Sequence, residues 1–278
     1  VTGVQTCALP IWVHGVRSQS ADSVTTVVGT NGGVLDVDSP WLIAADGAHS
    51  PVRRTAGIEL NEDVYPEKFL VVSVADELRD VFPDIEFVNY VADPDQWLVL
   101  LRTPDHWRVL YPLDADHPHP DGEASPGLVA ECMRGLTGDD RAWNVIATSV
   151  YTVRRAVVDT MRKGRVLVVG DAAHQNSPLG GMGMNSGVQD ALSAGRRLAR
   201  VWRGESTDVL DEFDRLRREV AVQYVQADSH ANWLVLREPD PARRRVLHAD
   251  LAATAADRSR HRERVRRTAM LDAVRSHL

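Results

Sequence analysis

The stretch that most restricts what this chain can fold into runs from Arg165 to Trp202, RVLVVGDAAHQNSPLGGMGMNSGVQDALSAGRRLARVW. It opens on Val166 to Val169, a β-branched and aliphatic run bounded by Gly164 and Gly170, which predicts a short strand buried on both faces. A polar loop follows, carrying Asp171, His174, Asn176, Ser177, Pro178, Gly180, Gly181 and Gly183. Met184 and Asn185 follow, and Val188, Leu192, Gly195, Leu198 and Trp202 then fall near one face of a helix whose N-terminus lies behind Asn185. Strand, glycine loop and helix together bring backbone N–H groups and a positive helix end up to a ligand. The clustered glycines let a flat group lie close to the backbone, because no Cβ stands in the way.

Asp171 follows directly on the strand, at the end where sheet strands meet their ligands. A carboxylate there accepts hydrogen bonds from sugar or polyol hydroxyls, and the helix N-terminus suits a carbonyl oxygen or a delocalised anion. A polyol chain leading to a planar heterocycle meets both demands, and a flavin is built that way. An ordinary tight strand–helix connection is the alternative.

A second stretch reads in the same manner. Val13 to Leu35 is β in pattern, with a turn at Asn31, Gly32 and Gly33, and leads into a strand from Trp41 to Ala45. That strand ends in ADGAHSPVRR, residues 45–54. Asp46 and Gly47 form a turn, Ser50 caps a helix beginning near Pro51, and Arg53 and Arg54 bring positive charge toward a phosphate-bearing ligand. A capped turn with a solvated basic pair is the alternative.

GDAAHQNSPLGGMGMNSGVQDA resembles the second FAD-binding motif of the flavin-dependent aromatic hydroxylases, the para-hydroxybenzoate hydroxylase-like class A monooxygenases. Gly170, Asp171, Ala172, Ala173, His174, Pro178, Gly180, Gly181, Gly183 and Asn185 match in register. The upstream stretch resembles the family's Asp-Gly motif through Asp46, Gly47, Ser50, Val52 and Arg53, about 125 residues earlier. The resemblance implies that Asp171 holds the ribityl chain and that Pro178 to Gly183 lie against the isoalloxazine ring. It implies FAD contact, with an influence on NAD(P)H, for the Asp46 segment. His174 is read as a loop-bracing partner rather than a catalytic group, and no catalytic residue is named.

Between the motifs, Phe69 to Val74, Ile85 to Val91, Gln96 to Leu101 and Trp107 to Leu113 are short β runs separated by Pro/Asp turns, predicting an antiparallel sheet. Such a sheet matches the family's substrate domain. Trp97, Trp107 and Tyr111 are candidates for an aromatic pocket, with sheet core as the stronger reading. Pro126 to Leu136 predicts a helix and Asn144 to Arg154 a returning strand. Asp114, Asp116, His117 and His119 suggest metal ligands, but the interleaved prolines point to an exposed loop, and no metal is expected. After Trp202, Phe213 to Leu234 steps by three or four as an amphipathic helix, Glu238 to Pro241 breaks it, and an arginine-rich tail is expected to pack as one or two helices.

The expected fold is α/β: a partial FAD-binding, Rossmann-like domain of the glutathione reductase type, with an inserted β-sheet substrate domain and C-terminal helices. Residues 11–57 and 156–205 form the FAD-binding part, 58–155 the substrate domain and 206–278 the helical region. Residues 1–10 resemble a translated sequencing adaptor and are read as a foreign leader. No Gly-x-Gly-x-x-Gly turn precedes Asp46, so the chain is expected to be the carboxyl-terminal portion of a longer enzyme.

A net charge of −7 argues against non-specific nucleic-acid binding, and no apolar run reaches the roughly 18 to 20 residues a membrane span needs. Two cysteines, Cys7 and Cys132, offer no disulfide framework, so a cytoplasmic enzyme is expected. The resemblance implies a monooxygenase that uses FAD, NAD(P)H and O2 to hydroxylate a small aromatic, phenolic substrate. Another FAD-dependent oxidoreductase and a non-catalytic remnant of the fold stay open as alternatives.

Overall fold

The computed structural model of the chain describes residues 11–93 and 96–273, so the expected leader and Cys7 lie outside the described residues. In chain order, three strands β1 (Trp12–Gln19), β2 (Val24–Thr30) and β3 (Gly33–Ser39) precede β4 (Leu42–Ala44) and a one-turn helix α1 (Pro51–Thr55). Strands β5 (Leu60–Val74), β6 (Val88–Val91), β7 (Leu98–Arg102) and β8 (Trp107–Asp114) lead to helix α2 (Pro126–Thr137) and strand β9 (Val145–Val158). Then come β10 (Arg162–Lys163), β11 (Val166–Val168), β12 (His174–Gln175), and helices α3 (Gly183–Trp202), α4 (Asp208–Val220), α5 (Ala227–Leu236), α6 (Pro241–Ala256) and α7 (Arg258–Thr268). A π-helical turn, Ala221–Gln226, joins α4 to α5 without a break, as the continuous apolar spacing from Phe213 predicts.

The chain divides into two units. Among the described residues, the first holds 11–62, 155–228 and 264–273. Here β1, β2 and β3 form an antiparallel meander, turned at Asn31–Gly32. Strand β11 lies between β10 and β4 and runs parallel to β4, pairing Val166 with Leu42 and Val168 with Ala44. Val166, Leu167 and Val168 are fully buried, as expected for a strand covered on both faces. They pack with Ala44, Val52, Ala194, Leu210 and Phe213.

The second unit holds residues 63–154 and 229–263. Strands β9, β5, β8, β7 and β6 lie side by side in that order, with β8 antiparallel to both β5 and β7. Alternate residues Leu70, Val72, Val74, Trp107, Val109 and Tyr111 pack against Leu128, Val129, Cys132 and Met133 of α2, which begins at the Ser125 cap and ends at left-handed Gly138. Trp107 is therefore core. Trp97 and Tyr111 are buried as well, but both also line a cavity of about 410 Å³ together with Glu67, Gln96 and Cys132.

Two expectations need correction. The face of α3 bearing Val188, Leu192 and Trp202 is exposed, and Ser186, Asp190, Ser193, Ala194 and Arg197 are the buried residues. The helix docks through its small and polar face because Gly187 meets Gly170 there: a Cβ on Gly187 would lie 3.3 Å from the Gly170 Cα. In the tail the expected two helices form and Met270 and Ala273 pack with Met182, Val220 and Val225, but α7 buries no residue and α6 only Thr254, leaving Val246, Leu251 and Val265 exposed. Their wide spacing among arginines builds no continuous apolar stripe.

Cys132 yields a first prediction. Burial, with Glu131 nearby, pushes its thiol up to about 11. In a Cys7→Ser background, its reaction with a disulfide reagent at pH 8 should run about a hundredfold slower in the folded chain than in denaturant, because so little thiolate is present. Equal rates in the two states would refute this.

Candidate functional site

Because β4 and β11 are adjacent and parallel, the turns that leave them emerge at the same edge of the sheet. Val169 N–H donates to Ala44 O at 3.0 Å and extends that register to the last residue before the glycine. The Asp46–Gly47 turn and the Gly170–Asp171 turn thus stand side by side. Both glycines have positive φ, +82° and +59°, which a side chain would resist.

The first turn is built by its own capping groups. Ser50, fully buried, accepts from the Arg53 N–H at 2.9 Å, and Asp46 Oδ2 accepts from the Val52 N–H at 3.2 Å. Arg53, expected to bring positive charge toward a phosphate, has its side chain engaged by the protein's own backbone. Its guanidinium is buried and donates to Ala172 O at 2.9 Å and to Ala48 O at 3.0 Å, which clamps the two turns together. Five fixed donors on a planar fork suit that bridging role.

The second turn carries the candidate acceptor. Asp171 is exposed, and no hydrogen bond or ion pair engages its carboxylate among the described residues. Downstream, Gly181 N–H donates to Pro178 O at 3.0 Å, closing a turn in which Gly180 and Gly181 have φ of +107° and +66°. A Cβ at Gly47 or Gly181 would meet nothing within 4 Å, so the bare backbone at both faces open space. Gly183 opens α3 with no side-chain cap on its N-terminal N–H groups, Met184 is 79% exposed, and Asn185 Nδ2 donates back to Gly181 O at 3.3 Å.

An unengaged carboxylate, open glycine backbone and an uncapped helix N-terminus fit a polyol attached to a flat ring with acceptor atoms. FAD matches that donor and acceptor set.

His174 sits beneath the loop, 2% exposed, with Nε2 2.7 Å from Asp190 Oδ2. The bracing role expected for it agrees with this geometry. Burial pushes the Asp190 carboxyl up, but the His174 hydrogen bond and the charge of Arg217 outweigh it and hold Asp190 below the ordinary carboxylate range. Sequence reading missed Asp190 and Arg217. An acidic residue among the small residues of α3 is a local signal for the first. Arg217, 27 positions further on, carries no local signal.

These features define a dinucleotide-type α/β scaffold with two glycine turns side by side at the carboxyl ends of its parallel strands. Residues 12–228 match the model of the FAD binding domain family. The chain belongs to that family, and the proteins it resembles are aromatic monooxygenases. It is 31% identical over 240 residues to para-nitrophenol 4-monooxygenase of Pseudomonas sp. (strain WBC-3), covering 84% of this chain and 59% of that protein. It is also 31% identical over 215 residues to 6-hydroxy-3-succinoylpyridine 3-monooxygenase of Pseudomonas putida (strain DSM 28022 / S16), covering 76% and 53%. The crystal structure of p-nitrophenol 4-monooxygenase from Pseudomonas putida DLL-E4 superposes with a TM-score of 0.82 at 28% identity, over 95% of this chain and 66% of that one. The chain thus spans between about half and two-thirds of the length of these relatives. Among the described residues, no helix is long and apolar enough to cross a membrane.

Proposed function

We propose that this chain carries the ribityl- and ring-binding half of an FAD-dependent monooxygenase. The whole protein would hydroxylate a small aromatic ring, using NAD(P)H and O2 in the cytoplasm. The observation that carries the reading is the unengaged Asp171 carboxylate beside the uncapped start of α3, at the shared edge of β4 and β11. Bound FAD supplies the redox chemistry, taking electrons from NAD(P)H and activating O2 for transfer of one oxygen atom.

The chain's own part is placement. Asp171 accepts from ribityl hydroxyls, and the Pro178–Gly183 backbone lies against the ring. The N–H groups of Gly183, Met184 and Asn185 favour negative charge at the ring's near edge. Gly47, Ser50 and Asp46 shape the neighbouring turn, and Arg53 and Gly170 hold the two turns in register. The relatives' names, a nitrophenol and a hydroxypyridine monooxygenase, support a ring that already bears a hydroxyl group. Residues 63–154, with the antiparallel strands β5 to β9, are the proposed substrate-covering part, and 11–62 with 155–205 the cofactor part.

In a protein extended to full length, phenols should stimulate NAD(P)H oxidation and emerge hydroxylated. Asp171→Ala should weaken FAD binding by at least about tenfold, measured by quenching of flavin fluorescence. Stoichiometric FAD in that variant would overturn the assignment of the loop, and phenol-independent oxidation without product would overturn the hydroxylase reading.

A further inference from the structure

Beneath the Asp171 turn lies a group of buried charges that the proposed chemistry does not use. Asp190 and Arg217 are fully buried, Ser186 is fully buried, and His174 is 2% exposed. We propose that Asp190 is a positioning residue: its one buried carboxylate joins the turn that presents Asp171 to the first turn of α3, with His174 and Arg217 as its side-chain donors.

The two carboxylate oxygens divide the work. Oδ2 accepts from the Gly170 N–H at 3.1 Å, immediately before Asp171, and from His174 Nε2 at 2.7 Å, three residues after it. Both flanks of Asp171 are therefore tied to one atom. Oδ1 accepts from Arg217 Nε at 2.7 Å. The same guanidinium reaches Ser186 O and Ser186 Oγ through Nη2 at 3.4 Å, which ties in the start of α3. An ionised carboxylate only accepts, so His174 carries its proton on Nε2.

Apolar packing between Gly170 and Gly187 sets how closely strand end and helix approach, but it is indifferent to small rotations. Three directional bonds to one carboxylate remove that freedom. Among the described residues the Asp171 carboxylate makes no hydrogen bond or ion pair, so its position is set by these neighbours. A ligand that contacts Asp171 and the helix N-terminus together needs their separation held constant, which supporting bonds provide.

This inference rests on the loop being an FAD site, so the test separates the two. Backbone amide exchange is followed in the chain without FAD, and FAD affinity is measured by flavin fluorescence. Asp190→Asn and His174→Leu should speed exchange across Gly170–Ala173 by at least about tenfold and weaken FAD binding by about the same factor, while amides of the β1–β3 meander stay unchanged. His174→Gln places an amide donor where Nε2 was and should bring both readouts back to within about threefold of the parent. Asp171→Ala should weaken FAD and leave exchange alone.

Parent-like exchange in both Asp190→Asn and His174→Leu overturns the positioning role, whatever happens to FAD. Full FAD affinity in Asp171→Ala overturns the cofactor reading instead, and the exchange comparison still decides the role of Asp190. If Asp190→Asn does not fold, the contrast between His174→Leu and His174→Gln decides: faster exchange in the leucine variant alone supports the role, and equal exchange in the two refutes it.

Discussion

Arg217→Met should cost about 3 to 5 kcal/mol of folding stability at pH 7, read from urea denaturation of the chain without FAD. Arg217 and Asp190 are both fully buried and meet at 2.7 Å. Methionine fills much of the arginine's volume, so little packing is lost. The cost arises because the Asp190 charge is left buried with only His174 and one backbone N–H to satisfy it.

The pH dependence follows from the sign of the Asp190 shift. A carboxyl held below its ordinary range adds stability above the unfolded-state pKa and loses it as pH falls through the folded-state value. Without Arg217, the folded-state value rises, so the variant takes up its proton at higher pH than the parent. The stability gap between parent and variant should therefore narrow as pH falls from 7 toward about 4. A gap below about 1 kcal/mol at pH 7, or one that widens on acidification, would show that the pair is not the buried ionic contact its geometry implies.

Trp107→Ala should have a comparable effect in the other unit, about 3 to 5 kcal/mol. The indole is 1% exposed, packs in the core shared by the sheet and α2, and donates from Nε1 to Glu77 Oε1 at 2.6 Å. Removing it opens a cavity between strands that already pair on both sides, so the site has little room to collapse.

Trp107→Phe separates the two contributions. It keeps most of the ring contact and deletes only the N–H. Burial raises the Glu77 carboxyl, but the Arg79 N–H and the Trp107 N–H outweigh it, and the carboxyl lies below its ordinary value. In the phenylalanine variant its pKa should move up, followed by carboxyl NMR chemical shift. Its share of stability, present above the unfolded-state pKa, should then fade at higher pH than in the parent. An unmoved Glu77 titration would mean that the indole N–H does not set it.

Local pattern made most elements of this protein readable. Val166 to Val168 had to be a strand because nothing polar interrupts the run, and Ser50 before Pro51 marked a helix start that the structure keeps. Val145 begins its strand close to the expected place, although β5 and β9 are longer at 15 and 14 residues than their apolar cores suggested. Polar residues near the ends of those strands hide the pairing, which depends on a neighbouring strand rather than on composition.

The orientation of α3 was not legible in the sequence. Val188, Leu192 and Trp202 share a face, but tight backbone approach at Gly170 and Gly187 buries the opposite side. The clamp made by Arg53 was hidden for a related reason. A basic pair after an Asp-Gly turn reads as ligand charge, and only the proximity of Ala172, 119 residues away, turns Arg53 into a clamp.

By itself, the sequence determined which segments are strands and helices, where the chain turns, and that Asp171 follows a buried strand and precedes a glycine-rich turn. Those properties depend on neighbours within a few positions, where backbone sterics and side-chain periodicity act. Only the tertiary structure decided that the Asp46 and Asp171 turns share one edge, that Asp190 gathers donors from positions 170, 174 and 217, and which face of α3 is hidden. Each of these depends on residues that are distant in sequence meeting in a desolvated space. There hydrogen bonds and charge pairing discriminate among arrangements that local propensity leaves equal.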